Sequence, residues 1–170
     1  MKKIVAIVIL IVSLISCKKE VNSKKAYAKF SIDFPDTVVV NKYYEGRIIY
    51  KSNLDTITVI LNEVDSKKSR MLEYAFAKTK IINQDEEALK RIIADTMYSK
   101  SNLSIPLFLK FNKLGVNYID GIIKDEVWID TIEIKNKKKE KKMRIITNEF
   151  RATKKVVVID DKTPALRRVQ

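Results

Sequence analysis

Cys17 is the single thiol of the chain, and histidine is absent. Without histidine the usual neutral-pH general base and the commonest metal ligand are both missing. One cysteine excludes an internal disulfide and a thiolate metal cluster. A Ser–His–acid triad cannot form, and no G-x-S-x-G stands in the sequence. "SKKS" (Ser66–Ser69) and "YSKS" (Tyr98–Ser101) carry the residue types of a Ser–Lys dyad, but both sit in polar loop texture. Three glycines are too few for a phosphate-cradling loop, which sets aside nucleotide-binding enzymes.

Neighbouring carboxylates remain: Asp85-Glu86-Glu87, Asp125-Glu126 and Asp160-Asp161. Two acids facing each other across a cleft are the equipment of a glycosidase. The first group is accounted for by a helix start, and the other two are expected to alternate outward from strands or to end them. None has the D-x-D-x-D-G order of a calcium loop. The residues therefore predict no catalytic residue, no metal site and no cofactor. Tyr43, Tyr44, Tyr50, Tyr74, Tyr118 and Trp128 are large polar-tipped aromatics that would stack on sugar rings if one sheet exposed them. At strand positions such residues more often pack.

The elements that would position these groups read as strands. "GRIIYKS" (Gly46–Ser52) and "TITVILN" (Thr56–Asn62), joined by Asn53-Leu54-Asp55, predict a hairpin. "RMLEYAFAK" (Arg70–Lys78) places Leu72, Tyr74 and Phe76 on one face, and "SIPLFLKF" (Ser104–Phe111) does so with Ile105, Leu107, Leu109 and Phe111. Pro106 points the latter toward a sheet edge. In "GVNYIDGIIKDEVWIDTIEI" (Gly115–Ile134), Ile119, Ile123, Val127 and Ile129 are expected to face inward, with Gly121 at a bulge or bend. "MRIITNEF" (Met143–Phe150) and "KKVVVID" (Lys155–Asp161) predict two more strands. "KNKKKEKK" between them and Ile134 predicts an exposed hairpin tip. "NQDEEALKRIIADTMYSK" (Asn83–Lys100) predicts one helix of about ten residues, capped by Asp85, with Ala88, Leu89, Ile92 and Ile93 on one face. Seven or eight short strands without strand–helix alternation predict an antiparallel β-sandwich.

Composition agrees with a globular domain: 46% hydrophobic and 32% charged residues in 170. The net charge is +13, or +11 once Lys2 and Lys3 are removed. The excess is mostly scattered lysine beside abundant Ile and Asn, whereas bidentate phosphate recognition prefers arginine. A solvated basic surface is expected rather than a nucleic-acid site. A localised anion-binding module would instead gather Lys137, Lys138, Lys139, Lys141 and Lys142 into one patch.

The N-terminus gives an address. Met1-Lys2-Lys3 is followed by the apolar run Ile4–Ile15, 12 residues long. A spanning helix needs about 20, whereas about 7 to 15 after a basic start fit a secretory signal. Leu14-Ile15-Ser16-Cys17 resembles the lipobox of bacterial lipoproteins. That resemblance implies cleavage between Ser16 and Cys17, diacylglycerol on the Cys17 sulfur, usually acylation of its freed amine, and an outer-membrane location. Lys19-Glu20 is similar to part of the surface-export signal of Bacteroidota lipoproteins, although Val21 stands where that pattern has an acid. "YYEGRIIYKSNLDTITV" with the later "GVNYIDGIIKDEV" resembles immunoglobulin-like domains of Bacteroidota envelope proteins.

The expected layout is a signal peptide (1–16), a tether (17–25), an immunoglobulin-like β-sandwich with one short helix (26–162) and a flexible tail (163–170). The expected function is a non-enzymatic, lipid-anchored envelope protein that binds or scaffolds. Its partners would be the membrane, through Cys17, and an envelope protein or glycan. The alternative is a small hydrolase acting on glycan or peptidoglycan through paired carboxylates.

Overall fold

A computed structural model describes residues 27–58, 61, 67–82, 85–99, 103–135 and 138–161. They form a mainly β structure of two sheets and one helix, consistent with a β-sandwich. The strands are β1 (Ala28–Asp33), β2 (Thr37–Val39), β3 (Tyr43–Ser52), β4 (Lys68–Thr79), β5 (Asp95–Tyr98), β6 (Ser104–Lys110), β7 (Gly115–Lys135) and β8 (Lys138–Ile159). The helix α1 (Glu86–Ile92) lies between β4 and β5. One sheet has the order β1-β3-β6, the other β2-β8-β7-β4-β5; all pairs are antiparallel except β2 with β8.

Period-two alternation builds the core. Ile48 and Tyr50 of β3 with Ile105, Leu107 and Leu109 of β6 meet Leu72, Tyr74 and Phe76 of β4, Ile119 and Ile123 of β7, and Ala152, Val156 and Val158 of β8. The inward positions expected on β4 and β6 are all buried; on β7, Ile119, Ile123 and Val127 are buried and Ile129 is half-buried. Pro106 lies on β6, an edge strand whose one partner is β3. Asp85 caps α1, its Oδ1 accepting from the Glu87 N–H at 3.0 Å, and Glu86 and Glu87 occupy the first turn. The helix is seven residues rather than ten; Leu89 is its buried contact, while Ile92 stays exposed.

Other expectations are corrected. Gly46–Ser52 does not fold back onto Thr56–Asn62: β3 pairs with β1 and β6. The reason is a reciprocal cap. Ser52 Oγ accepts from the Leu54 N–H (3.1 Å), and Asp55 Oδ2 accepts from the Ser52 N–H (3.1 Å). This pair winds Asn53–Thr56 into a 3₁₀ turn, which takes the chain out of the first sheet. Of the expected second strand, only Leu61 is described beyond Thr58, in an isolated bridge to Arg70. Met143–Phe150 and Lys155–Asp161 are not two strands but parts of β8, 22 residues long. The lysine run is mostly ladder rather than tip, since β7 and β8 stay in register out to Lys135↔Lys138. The strand β5 was not anticipated.

Gly121 marks no bulge, because its register with Phe76 and Ala152 is unbroken. It marks a close approach. A Cβ there would lie 2.5 Å from Phe76 Cβ and closer still to the Ala75 carbonyl oxygen. Gly46 does the same where the chain crosses between the sheets, since a Cβ would meet Phe34 Cδ2 at 2.5 Å. Gly121→Ala should therefore destabilise the domain by about 1–3 kcal/mol, despite alanine's lower backbone entropy cost. A urea midpoint equal to that of the wild type would refute this packing account.

Candidate functional site

Two charged residues occupy inward positions, and both are fully buried: Arg70 on β4 and Asp125 on β7. This overturns the expectation that Asp125 alternates outward. Arg70 shares the parity of Leu72, Tyr74 and Phe76, and Asp125 that of Ile123 and Val127, so both must point between the sheets. The guanidinium meets the carboxylate bidentately, Nε to Oδ1 at 2.6 Å and Nη2 to Oδ2 at 2.7 Å. From the opposite sheet, Tyr50 Oη and Ser52 Oγ donate to Asp125 Oδ2 at 2.9 and 2.8 Å. Arg70 Nη1 donates to Asp55 Oδ1 (2.7 Å) and to the Thr58 carbonyl (3.1 Å), and Nη2 also to Ser52 Oγ (3.0 Å).

Burial disfavours the Arg70 charge, but the hydrogen bonds and charge of Asp125, then those of Asp55, outweigh it and hold its pKa above the usual value. Burial, reinforced by the Asp125 charge, pushes the Tyr50 hydroxyl well up, so it stays a neutral donor. No buried side-chain N or O among the described residues lacks a partner. All five N–H donors of Arg70 are engaged, and the cluster is a buried, fully partnered lock between the sheets.

A second buried acid, Asp120, faces the outer side of β7, the side on which α1 packs. Arg151 holds it through Nε (3.1 Å) and Nη2 (2.7 Å), and Thr153 Oγ1 donates at 2.8 Å. The acids singled out in the sequence do not converge. Asp125 is in the lock and Glu126 pairs with Lys124 at 2.9 Å. Asp161 pairs with Lys42 (3.0 Å), and Glu86 and Glu87 with Lys90 (3.2 and 3.6 Å). Among the described residues, no three His, Cys, Asp or Glu side chains gather as a metal site would require. Ser66 and Ser101 of the Ser–Lys sequences lie outside the described residues, as do Ser16, Cys17 and Lys137.

The aromatics divide. Tyr50 and Tyr74 are core, Tyr44 Oη accepts from the Val39 N–H (2.9 Å), and Tyr118 and Trp128 are half-buried. Tyr43 stays 58% exposed on the outer face of β3, stacked on Phe108 of β6, itself 53% exposed. Their centroids are 4.8 Å apart and their planes 4° from parallel, and Lys110 Nζ stands 5.0 Å from the Tyr43 centroid. The pair borders a cleft of about 240 Å³ where β6 of one sheet meets β5 of the other. Lys78, Asp95, Met97 and Asn112 complete its wall. Lys78 pairs with Asp95 at 3.5 Å. Phe108 was not singled out in the sequence, although its parity, opposite to Leu107 and Leu109, marks it as outward. Two further clefts, of about 340 and 470 Å³, lie beside Tyr27, Lys29 and Lys51 and beside Asp130, Ile132 and Lys141. Each of the three clefts is lined by at most one carboxylate.

If the lock is a unit, Asp125→Asn should cost about 3–5 kcal/mol, because it strands a buried guanidinium. In an Arg70→Met background the same change should cost much less, there being no cation left to strand. Urea denaturation of the four proteins of this cycle checks it, and additive losses would show that the two residues act independently.

The chain matches no described protein family, no curated protein and no solved structure.

Proposed function

We propose that this is a non-enzymatic, lipid-anchored protein of the bacterial outer membrane, in which an immunoglobulin-like sandwich serves as a binding module. The anchor is Cys17, freed by cleavage after Ser16. The lipobox-like Leu14-Ile15-Ser16-Cys17, the basic start and the apolar run support this address. No helix among the described residues is long and apolar enough to cross a membrane.

Strand order supports the immunoglobulin-like reading. The sheet β1-β3-β6 corresponds to strands A, B and E, and β8-β7-β4-β5 to G, F, C and C′. Antibody domains tie strands B and F with a disulfide packed on a Trp of strand C. Here Tyr50 and Ser52 (B), Asp125 (F) and Arg70 (C) occupy the same three strands.

The observation that carries the binding role is the exposed Tyr43–Phe108 stack at the mouth of a cleft rimmed by Lys78, Asp95, Lys110 and Asn112. An exposed ring face and the edges of the stack, bordered by donors and acceptors, suit a sugar ring, whose C–H face packs on the aromatic while its hydroxyls reach the rim. The one carboxylate in the wall, Asp95, is neutralised by Lys78, which favours binding over hydrolysis.

Tyr43→Ala and Phe108→Ala should each weaken binding of envelope glycan fragments about tenfold or more while leaving the unfolding midpoint close to that of the wild type. Calorimetric titration with such fragments reads this out. Unchanged affinity in both variants would remove the cleft from the account. Cys17→Ala should release the protein from membranes, and retention with normal processing would refute the anchor.

A further inference from the structure

The β7–β8 ladder does not end with the sandwich. The strand β4 covers β7 only up to Ile129, at Lys68, while β7 and β8 stay paired to Lys135 and Lys138. Residues 130–135 and 138–143 thus form a two-stranded arm, joined to the body at its root, where the Asp130 N–H donates to the Lys67 carbonyl at 2.9 Å. Its two faces differ. On one, Ile132 (67% exposed), Met143 (61%) and Ile145 (50%) form an apolar stripe that carries Lys139 and Lys141, with Asp130 at its root opposite Met143. Neither lysine has an ion-pair partner among the described residues. On the other, Thr131 Oγ1 donates to the Lys142 carbonyl at 3.0 Å, and Lys142 is paired with Glu133. In sequence, 130–143 holds six basic residues and three acids.

The arm leaves from the end of the domain where the chain enters it. The Asn53 N–H donates to the Tyr27 carbonyl (3.0 Å), and Asn53 Oδ1 accepts from Asn148 Nδ2 (3.2 Å), on the rung Asp125↔Asn148. From that rung to Lys135 are ten residues of strand, roughly 33 Å at about 3.3 Å each. From Cys17 to residue 26 are ten residues, which span at most about 33–36 Å. The fully extended tether from Cys17 and the arm are thus of about equal length, so a tether short of full extension puts the lipid within the arm's reach.

We infer that the amphipathic arm docks on the bilayer, with Ile132 and Met143 in the interfacial region and Lys139 and Lys141 against anionic phospholipid headgroups. The inference rests on the lipid-anchor reading. Acyl chains and a basic, apolar patch then act together, the patch setting the orientation of the domain over the membrane. The Tyr43–Phe108 cleft, at the far end of β3 from Ser52, is left clear for its ligand.

The test uses the processed protein reconstituted in vesicles of phosphatidylcholine with or without phosphatidylglycerol. It carries Trp128→Phe and Ile132→Trp, so that the one tryptophan reports from the arm. Flotation reads the anchor; Trp emission and its quenching by lipids brominated near the headgroup read the arm. The expected result is flotation on both vesicles, with a blue shift and strong quenching only with phosphatidylglycerol, reversed by high salt. Adding Lys139→Gln and Lys141→Gln should lower the docked-to-free ratio roughly 30-fold, at about 1 kcal/mol per lysine, without affecting flotation. Flotation with unquenched Trp, or quenching indifferent to lipid charge, overturns the docking alone. Failure to float overturns the anchor and the docking with it. A Trp shift produced only by detergent-solubilised envelope protein assigns the arm to a protein contact and also overturns it.

Discussion

A charge pair buried between two sheets is the constraint on which this domain turns. Arg70 and Asp125 would each be costly alone in an apolar interior, and together they offset desolvation because all the N–H donors of Arg70 are engaged and no buried polar atom among the described residues lacks a partner. Those partners come from three separate places: Tyr50 and Ser52 on β3, Asp55 in the 3₁₀ turn and the Thr58 carbonyl. The pair therefore specifies one alignment of the sheets. A slide by one residue would point either charge outward and leave the other orphaned. The same Asp55 that caps the 3₁₀ turn also binds Arg70, so the exit of the chain from the first sheet is tied to the register of the second.

The lock also explains a division of labour among the acids. Asp125 and Asp120 are both consumed by arginines, and most of the other paired acids meet lysines, three of them sharing Lys90. What is left for interaction is apolar: the Tyr43–Phe108 stack on the outer face of β3 and β6, and the stripe along the arm. A single domain can carry two such surfaces because β7 and β8 have two jobs. Their first halves form the middle of the larger sheet. Their continuation beyond β4 is a ribbon held, among the described residues, mainly by its own ladder. Alternating side chains make any such ribbon two-faced, so its amphipathic character needs nothing beyond the pattern already present in the strand.

Much of the fold was legible, and for one reason. Alternation tells which residues share a face, so the buried positions on β4 and β6, Ile119, Ile123 and Val127 on β7, and the cap at Asp85 followed from the pattern. The lock was half-legible. The parity of Arg70 and Asp125 put both inward beside recognised core residues, but the habit of placing every charge outside concealed it. The cap Ser52-Asn53-Leu54-Asp55 was legible too, as a serine followed three residues later by an acid. It was overlooked in favour of a hairpin, because short polar links between two apolar runs suit both outcomes. The lysine run misled for a related reason: charge density is a property of loops on average, yet a two-stranded ladder with solvent on both faces tolerates it equally well.

The sequence by itself determined most of the inward faces and the helix cap. Only the tertiary structure decided which strands are neighbours, that Arg70 and Asp125 meet, that Phe108 joins Tyr43, and that β7 and β8 run on together past the body. The physical reason is that a period of two specifies an orientation, whereas pairing is a contest among all strand edges at once. That contest is settled by the long-range contacts of the core and by the cost of leaving a buried charge without its partner.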